Sequence, residues 1–393
     1  MQAESVKKNI RRYYVISFLS GLMFSIPIMV LFRRDNGLNM FQITFLQSLF
    51  AIAVVALEVP TGYVADILGR KKSIIMSLFF YLLGYIVYGF GSSFGGFLAA
   101  EILLAFAVSF LSGAEEALVY DSLKQIGEER RYKKIIGNVA ALGMLAVAIS
   151  SIVGSLLVNI GYRSLIWLSA PFLFIAFVLS FWLKEAEKFK VVVEKNYLAD
   201  IRKGIKFVFQ NNPKLKRLIF YFGIISGINS AALWFYQPYF QIVSLNILYF
   251  GIIFASFQVF TALVSKVSHN VENLLGRKFS LIAIAVLVVV SYFLMGNIIF
   301  AFSFGFAYLQ QFARGFNKVL ASDYINQEVG SSYRATILSI NSLFSRLIYA
   351  SLIPLLGSIA DMKGILYSLN VSGVLAFVAG GLILRVLHKK KVI

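Results

Sequence analysis

Glu58-Val59-Pro60-Thr61-Gly62-Tyr63-Val64-Ala65-Asp66-Ile67-Leu68-Gly69-Arg70-Lys71-Lys72 joins two apolar stretches through a tight, charged corner. Gly69 has no Cβ and can take the positive φ that ends a helix. Arg70, Lys71 and Lys72 cannot rest in hydrocarbon, so the corner is assigned to the cytoplasmic face of a membrane. Gly62 and Asp66 lie one helical turn apart and share a face.

The rest of the chain agrees with a membrane reading. Of 393 residues, 59% are hydrophobic, and the mean hydropathy is +0.80. A soluble fold with that composition would expose large apolar patches. Several apolar runs reach the roughly 20 residues needed to cross a bilayer. The first begins after Arg12 with no small-residue cleavage site behind it, so it reads as a retained span and not a signal peptide. The net charge is +19, but the bases sit between apolar runs and not on a stacking face for nucleic acid. There are no cysteines, and the two histidines, His269 and His388, lie at polar ends. Disulfide, thiolate and His-based metal chemistry are thereby excluded, and no metal or cofactor is expected. No Gly-x-x-x-x-Gly-Lys-Ser/Thr loop is present, which disfavours an ATP-driven pump. No Ser- or His-centred cluster supports an enzyme.

The apolar runs predict twelve helical spans: 13–32, 41–64, 73–91, 97–120, 136–159 and 164–183, then 218–241, 247–265, 279–294, 298–322, 336–360 and 365–384. With both termini cytoplasmic, 30 of the 37 Lys and Arg residues fall in cytoplasmic segments. Four (Arg33, Arg34, Arg163, Lys363) fall outside and three (Arg314, Lys318, Arg346) within spans. The opposite orientation would reverse that balance. The chain therefore divides into six spans over 1–183, a cytoplasmic linker over 184–217 and six spans over 218–393. In the linker Leu198, Ile201, Ile205 and Val208 share a helical face, which predicts an amphipathic helix on the inner membrane surface.

An internal repeat supports the division. Asp66-Ile67-Leu68-Gly69-Arg70-Lys71 matches Asn273-Leu274-Leu275-Gly276-Arg277-Lys278. Gly113 with Asp121 matches Gly315 with Asp323, and Gly154-Ser155 with Gly161 matches Gly357-Ser358 with Gly364. The order and spacing are consistent. Within hydrophobic sequence, Gly-x-x-x-Asp-x-x-Gly-Arg-Lys resembles the signature turn between helices 2 and 3 of the major facilitator superfamily of secondary transporters. Glu58-Val59-Pro60-Thr61-Gly62 and Ala114-Glu115-Glu116-Ala117-Leu118-Val119-Tyr120-Asp121 resemble bacterial drug-efflux permeases of that family. The resemblance implies an all-α protein of two six-helix bundles about a pseudo-twofold axis, with spans 1, 4, 7 and 10 lining the cavity. It departs in two places. Glu101 stands where drug–proton antiporters usually carry an arginine, and span 5 lacks the usual proline.

The resemblance makes Gly62, Asp66, Gly69, Arg70, Lys71 and Asp121 a cytoplasmic latch, with Asp66 facing the start of span 11 and Arg70 pairing with Asp121. Asn273, Gly276, Arg277 and Asp323 form a second copy, weakened where Asn273 replaces an acid and His269 replaces Gly62. Glu58, Glu101, Glu115 and Glu116 are candidates for proton coupling. An ionised carboxylate in hydrocarbon costs about 2.5–3.5 kcal/mol, so each is expected to be paired, hydrated or protonated. For Glu101, simple contact with external water is the competing expectation. Lys318, at the repeat position of Glu116, is a candidate inner-gate partner for Glu115 or Glu116, or else snorkels to headgroups. Tyr14, Ser17, Asn229, Trp234, Tyr236, Gln237, Arg314 and Arg346 are candidate substrate contacts: aromatic surface with a few amides suits amphiphilic ligands, and a guanidinium can clamp an anion or neutralise a buried Glu. Trp234 and Tyr236 could instead be interfacial anchors. The expected function is proton-driven efflux of a small amphiphilic molecule across the cytoplasmic membrane by a monomer. Import of an anionic or zwitterionic metabolite is the alternative, and a channel or lipid scramblase the rival class.

Overall fold

At Gly69 one long helix stops and the next begins, as the opening stretch requires. The backbone there is at φ 101°, ψ 158°, a region in which a Cβ is strained. The computed structural model describes residues 2–185, 204–330 and 333–390. Among them all regular structure is helical.

The first part of the chain runs α1 (Gln2–Ser20), α2 (Met29–Asp35), α3 (Met40–Leu68), α4 (Arg70–Phe90), α5 (Phe94–Leu111), α6 (Ala114–Lys124), α7 (Tyr132–Leu156) and α8 (Tyr162–Ser180). A π-helical turn, Phe207–Asn211, leads into α9 (Pro213–Ala231), α10 (Leu233–Ile242) and α11 (Phe250–Asn297). Then come α12 (Ala307–Gln327), α13 (Arg334–Lys363) and α14 (Ile365–Lys389). Nine helical stretches among the described residues are long and apolar enough to cross a membrane. One of these contains all of α11, whose 48 residues are divided by Gly276 at φ 72°, ψ 165°. This is the second copy of the Gly69 corner. Spans 1 and 10 are not among the nine: the helix of span 1 ends at Ser20 after a charged start, and α12 carries Arg314, Lys318 and Asp323. Leu198 and Ile201 of the expected amphipathic helix lie outside the described residues. Of its other two positions, Val208 is buried and Ile205 exposed.

Several spans are discontinuous. Span 1 ends its first helix at Ser20 and resumes with a 3-10 turn, Ile26–Ile28, containing Pro27. Span 4 breaks at Gly113, which adopts the left-handed conformation at φ 74° and starts α6. Its repeat partner Gly315 lies inside the unbroken α12. Span 7 is interrupted at Ala232, between Gly227 and Pro238.

The chain forms two compact units: 1–37, 53–195 and 247–255 in one, and 38–52, 196–246 and 256–393 in the other. Packing and chain order thus differ at two places: the first turns of α3 belong with the second unit, and the start of α11 belongs with the first. Within the first unit α4 packs on α5 and α8, and α1 on α7 and α8. Within the second, α9 packs on α12, α13 and α14. Hydrocarbon gives little drive for helices to associate, so hydrogen bonds between helices matter. Ser73 and Ser77 of α4 donate to the carbonyls of Phe110 and Ala107 at 2.6 and 2.7 Å. Tyr221 and Tyr292 do the same for Leu281 and Ile228 at 2.5 and 2.6 Å.

Candidate functional site

Two polar constellations stand out, one in each unit. In the first, Arg33 of α2 is buried at 1% exposure and Glu101 of α5 at 4%. The Arg33 guanidinium forms an ion pair with the Glu101 carboxylate. Arg33 Nε also donates to the Tyr88 hydroxyl at 2.9 Å, and that hydroxyl donates to Glu101 at 2.9 Å. Arg33, expected in a loop, is instead buried within α2, and Glu101, for which contact with external water was the competing expectation, is buried and paired. An isolated charge at this depth would be costly, and each group supplies the other's counter-charge.

The break at Gly113 sets up the second carboxylate site. It leaves Glu115 and Glu116 in the first turn of α6, where the helix dipole favours negative charge. Tyr13 of α1 donates its hydroxyl proton to Glu115. Glu116 faces outward and accepts from the Tyr132 hydroxyl at 3.4 Å. Tyr132 in turn stacks edge-on with Tyr120, with ring centroids 5.5 Å apart. Nearby on α1, Ser17 donates to the Val139 carbonyl at 3.2 Å, and Tyr14 accepts from Asn138 at 3.4 Å. The Glu58 side chain is half-buried in α3.

At the first corner Arg70 pairs with Asp66 one turn earlier at 2.6 Å. The N-terminus of α4 has a partner that sequence reading did not find. Glu185, just beyond span 6, accepts from the backbone N–H groups of Arg70 and Lys71 at 2.7 and 2.8 Å. Its carboxylate sits 2.8 Å from where a Gly69 Cβ would be. Gly69 therefore meets two demands, positive φ and room for the cap. At the second corner, Asn273 pairs with His269 at 3.1 Å. Arg277, without an acid one turn back, lies over the Tyr324 ring at 4.2 Å, and Tyr324 donates to Glu272. Asp323 accepts from Gln327 at 2.7 Å. The change from Asp to Asn thus redirects the arginine from a carboxylate to an aromatic face.

The second unit holds a neutral network on α9, α10, α11 and α12. Tyr236 donates to Gln310 Oε1 at 2.5 Å and accepts from Gln311 at 3.1 Å. Asn229 donates to the Gln310 carbonyl at 3.1 Å, and Asn317 to Ser226 at 2.8 Å. Phe257 lies against Tyr236 and Tyr308 at centroid distances of 5.5 and 4.9 Å. Gln310 Nε2, Asn229 Oδ1 and Asn317 Oδ1 are buried and have no hydrogen-bond partner among the described residues. Of the expected contacts, Gln237 is buried, Trp234 and Arg346 are half-buried, and Arg314 and Lys318 are exposed on α12. Gln310, Gln311 and Asn317 were missed because amides perturb hydropathy far less than charges do. Their signal was three amides on one predicted span. Among the described residues no group of His, Cys, Asp or Glu converges as a metal site.

A family model for the Major Facilitator Superfamily matches residues 13–354. The chain belongs to the major facilitator superfamily. Relatives of this superfamily member include an uncharacterized transporter of Buchnera aphidicola, 31% identical over 44% of this chain and 43% of that protein. The uncharacterized MFS-type transporter YxaM of Bacillus subtilis is 28% identical over 64% of this chain and 63% of its own length. Multidrug resistance protein 2 of Bacillus subtilis is 27% identical over 49% of each chain. The matched stretch thus spans less than two thirds of each of these relatives. Among solved structures, the nucleoside transporter NupG superposes with a TM-score of 0.80, at 14% identity, over 95% of this chain and 98% of that one. At that identity the likeness shows the fold alone; it is the family match that makes this chain a transport protein rather than an enzyme.

Proposed function

We propose that this superfamily member is a secondary transporter that moves a small amphiphilic molecule across the cytoplasmic membrane by alternating access, driven by protons and in the direction of efflux. Its coupling group is Glu115. The observation that carries this reading is the contrast between the two intramembrane carboxylate sites. Glu101 is held by a buried arginine, whereas Glu115 is partly accessible and rests on a neutral tyrosine hydroxyl. A carboxylate bound to a hydroxyl can exchange protons without leaving a buried cation behind. Glu116, on the Tyr132 hydroxyl, is a secondary candidate by the same reasoning, and half-buried Glu58 is a further candidate as an acid within span 2.

The substrate contacts are Tyr14 and Ser17 on span 1 and Asn229, Tyr236 and Gln237 on span 7, with Gln310, Gln311 and Asn317 added from span 10. Aromatic rings surround amide atoms that have spare hydrogen-bonding capacity, a combination that suits a flat, weakly polar ligand. The likeness to a multidrug resistance protein supports efflux. A second reading, import of an anionic or zwitterionic metabolite, draws on Arg314, exposed on the same helix face as Gln311. The protein works as a monomer with no cofactor beyond the proton gradient, both termini lying in the cytoplasm.

The test begins with a ligand-stabilisation screen on purified protein. The best ligand is then followed in vesicles with and without an imposed pH gradient. Flux that depends on the gradient supports the reading. Dissipative flux indifferent to the gradient supports a channel or scramblase instead.

A further inference from the structure

The N-terminus of α3 is capped by a residue more than 300 positions away. The backbone N–H of Met40 donates to Asp361 Oδ1 at 2.9 Å, and that of Phe41 to Oδ2 at 2.7 Å. Two oxygens of one carboxylate thus hold two of the orphan donors of a helix start. Below this cap the helices are nearly in contact. A Cβ on Gly357 would lie 2.0 Å from Thr44 Oγ1 and 2.7 Å from the Met40 carbonyl. Further down the same seam Ser48 donates to the Ala350 carbonyl at 2.6 Å. Residues 38–52 and 350–361 belong to one compact unit because of these contacts.

The internal repeat supplies a control. By the spacing that relates Asp66 to Asn273, Thr44 corresponds to Gly251. By the spacing that relates Gly154 to Gly357, Asp361 corresponds to Val158. The matching seam exists in the first unit: a Cβ on Gly251 would lie 1.9 Å from the Ser151 carbonyl and 2.8 Å from Ser155 Oγ. Neither 151–160 nor 246–255 contains an Asp or Glu. The acid at Asp361 is therefore not a feature that the two halves of the repeat share.

We propose that Asp361 is an external latch, an exposed carboxylate that holds the outer ends of spans 2 and 11 together and lets them part during transport. The inference rests on the orientation in which the 33–40 turn faces outward. An exposed charge–dipole contact is weak enough to break within a transport cycle, while a buried ion pair is not. It mirrors, on the outer face, the Glu185 cap on α4.

The chain has no cysteine, so single cysteines report accessibility cleanly. Asn39→Cys is labelled first in intact cells with a membrane-impermeant maleimide, as a check of orientation alone. Absence of labelling there overturns the outward assignment. Ile43→Cys, at a buried position beside the seam residue Thr44, then reports opening. Asp361→Asn is expected to raise the Ile43→Cys labelling rate about fivefold, the change a weak contact can supply. Gly357→Ala, which forces the seam apart while keeping the carboxylate, is expected to raise it as well. Should Gly357→Ala raise labelling while Asp361→Asn leaves it within twofold of the parent, the seam opens without the latch and the proposal is overturned. Thermal melting of Asp361→Asn separates opening from unfolding. A cooperative transition near that of the parent accompanies the expected result, and its loss means the residue is structural, which also overturns the proposal.

Discussion

At the scale of single residues, the energetics turn on which charges are buried with a partner. Arg33 and Glu101 form a charged contact out of solvent, with Tyr88 bridging them. Replacing Arg33 by Met leaves Glu101 uncompensated and is expected to cost about 3–5 kcal/mol, whereas Arg33→Met with Glu101→Leu recovers most of that loss. Thermal unfolding of the three variants in detergent checks this, and equal melting points for the single and double variants would contradict it. Tyr236 is a milder case, since its hydroxyl joins Gln310 and Gln311. Tyr236→Phe keeps the ring and removes one hydrogen-bond hub, a change of about 0.5–1.5 kcal/mol. A severalfold weaker apparent affinity in a thermal-shift titration is expected, with little change in the ligand-free melting point. Residue reading from sequence found the acids but not their partners. Glu101 was visible because a charge in an apolar run cannot be missed. Arg33 was not, because it stands next to Arg34, Asp35 and Asn36, which read as a solvated turn.

At the scale of helices, glycine corners and breaks set the pattern. Gly69 and Gly276 share a backbone conformation, yet a Cβ at Gly69 would meet Glu185 while one at Gly276 would meet nothing within 4 Å. Alanine at either position carries the strain of positive φ, about 1–3 kcal/mol. Gly69→Ala also dislodges the cap on α4, so it is expected to lower the melting point more than Gly276→Ala does. Equal effects would show that the Glu185 cap contributes nothing. The weaker second corner can be repaired in principle. Asn273→Asp offers half-buried Arg277 the acid that Arg70 already has in Asp66, and a double-mutant cycle with Arg277→Gln is expected to show favourable coupling of at least about 0.3–0.5 kcal/mol, that of an exposed i,i+4 helix pair. These corners were legible from sequence because glycine, base and acid recur at fixed intervals. The break at Gly113 was not, because Gly113 and Gly315 look alike in the repeat and only their surroundings decide which one leaves the helix.

At the scale of the whole molecule, the sequence carried the architecture further than the site. A membrane protein must satisfy its backbone within each span, so hydropathy and charge expose the spans directly. Exchange of 38–52 and 247–255 between the compact units was hidden, because no local pattern says which neighbour a helix end chooses. Asp361 went unnoticed for the same reason: Asp361-Met362-Lys363-Gly364 reads as a solvated turn. In the proposed mechanism Glu115 changes protonation while Glu101, held by Arg33, does not. Reconstituted vesicles loaded with the best ligand decide this most directly, by comparing gradient-driven accumulation with ligand exchange at zero gradient. In Glu115→Gln, exchange is expected to persist at near-parent rates while accumulation driven by the pH gradient is lost. Accumulation by Glu115→Gln equal to that of the parent protein would contradict the account.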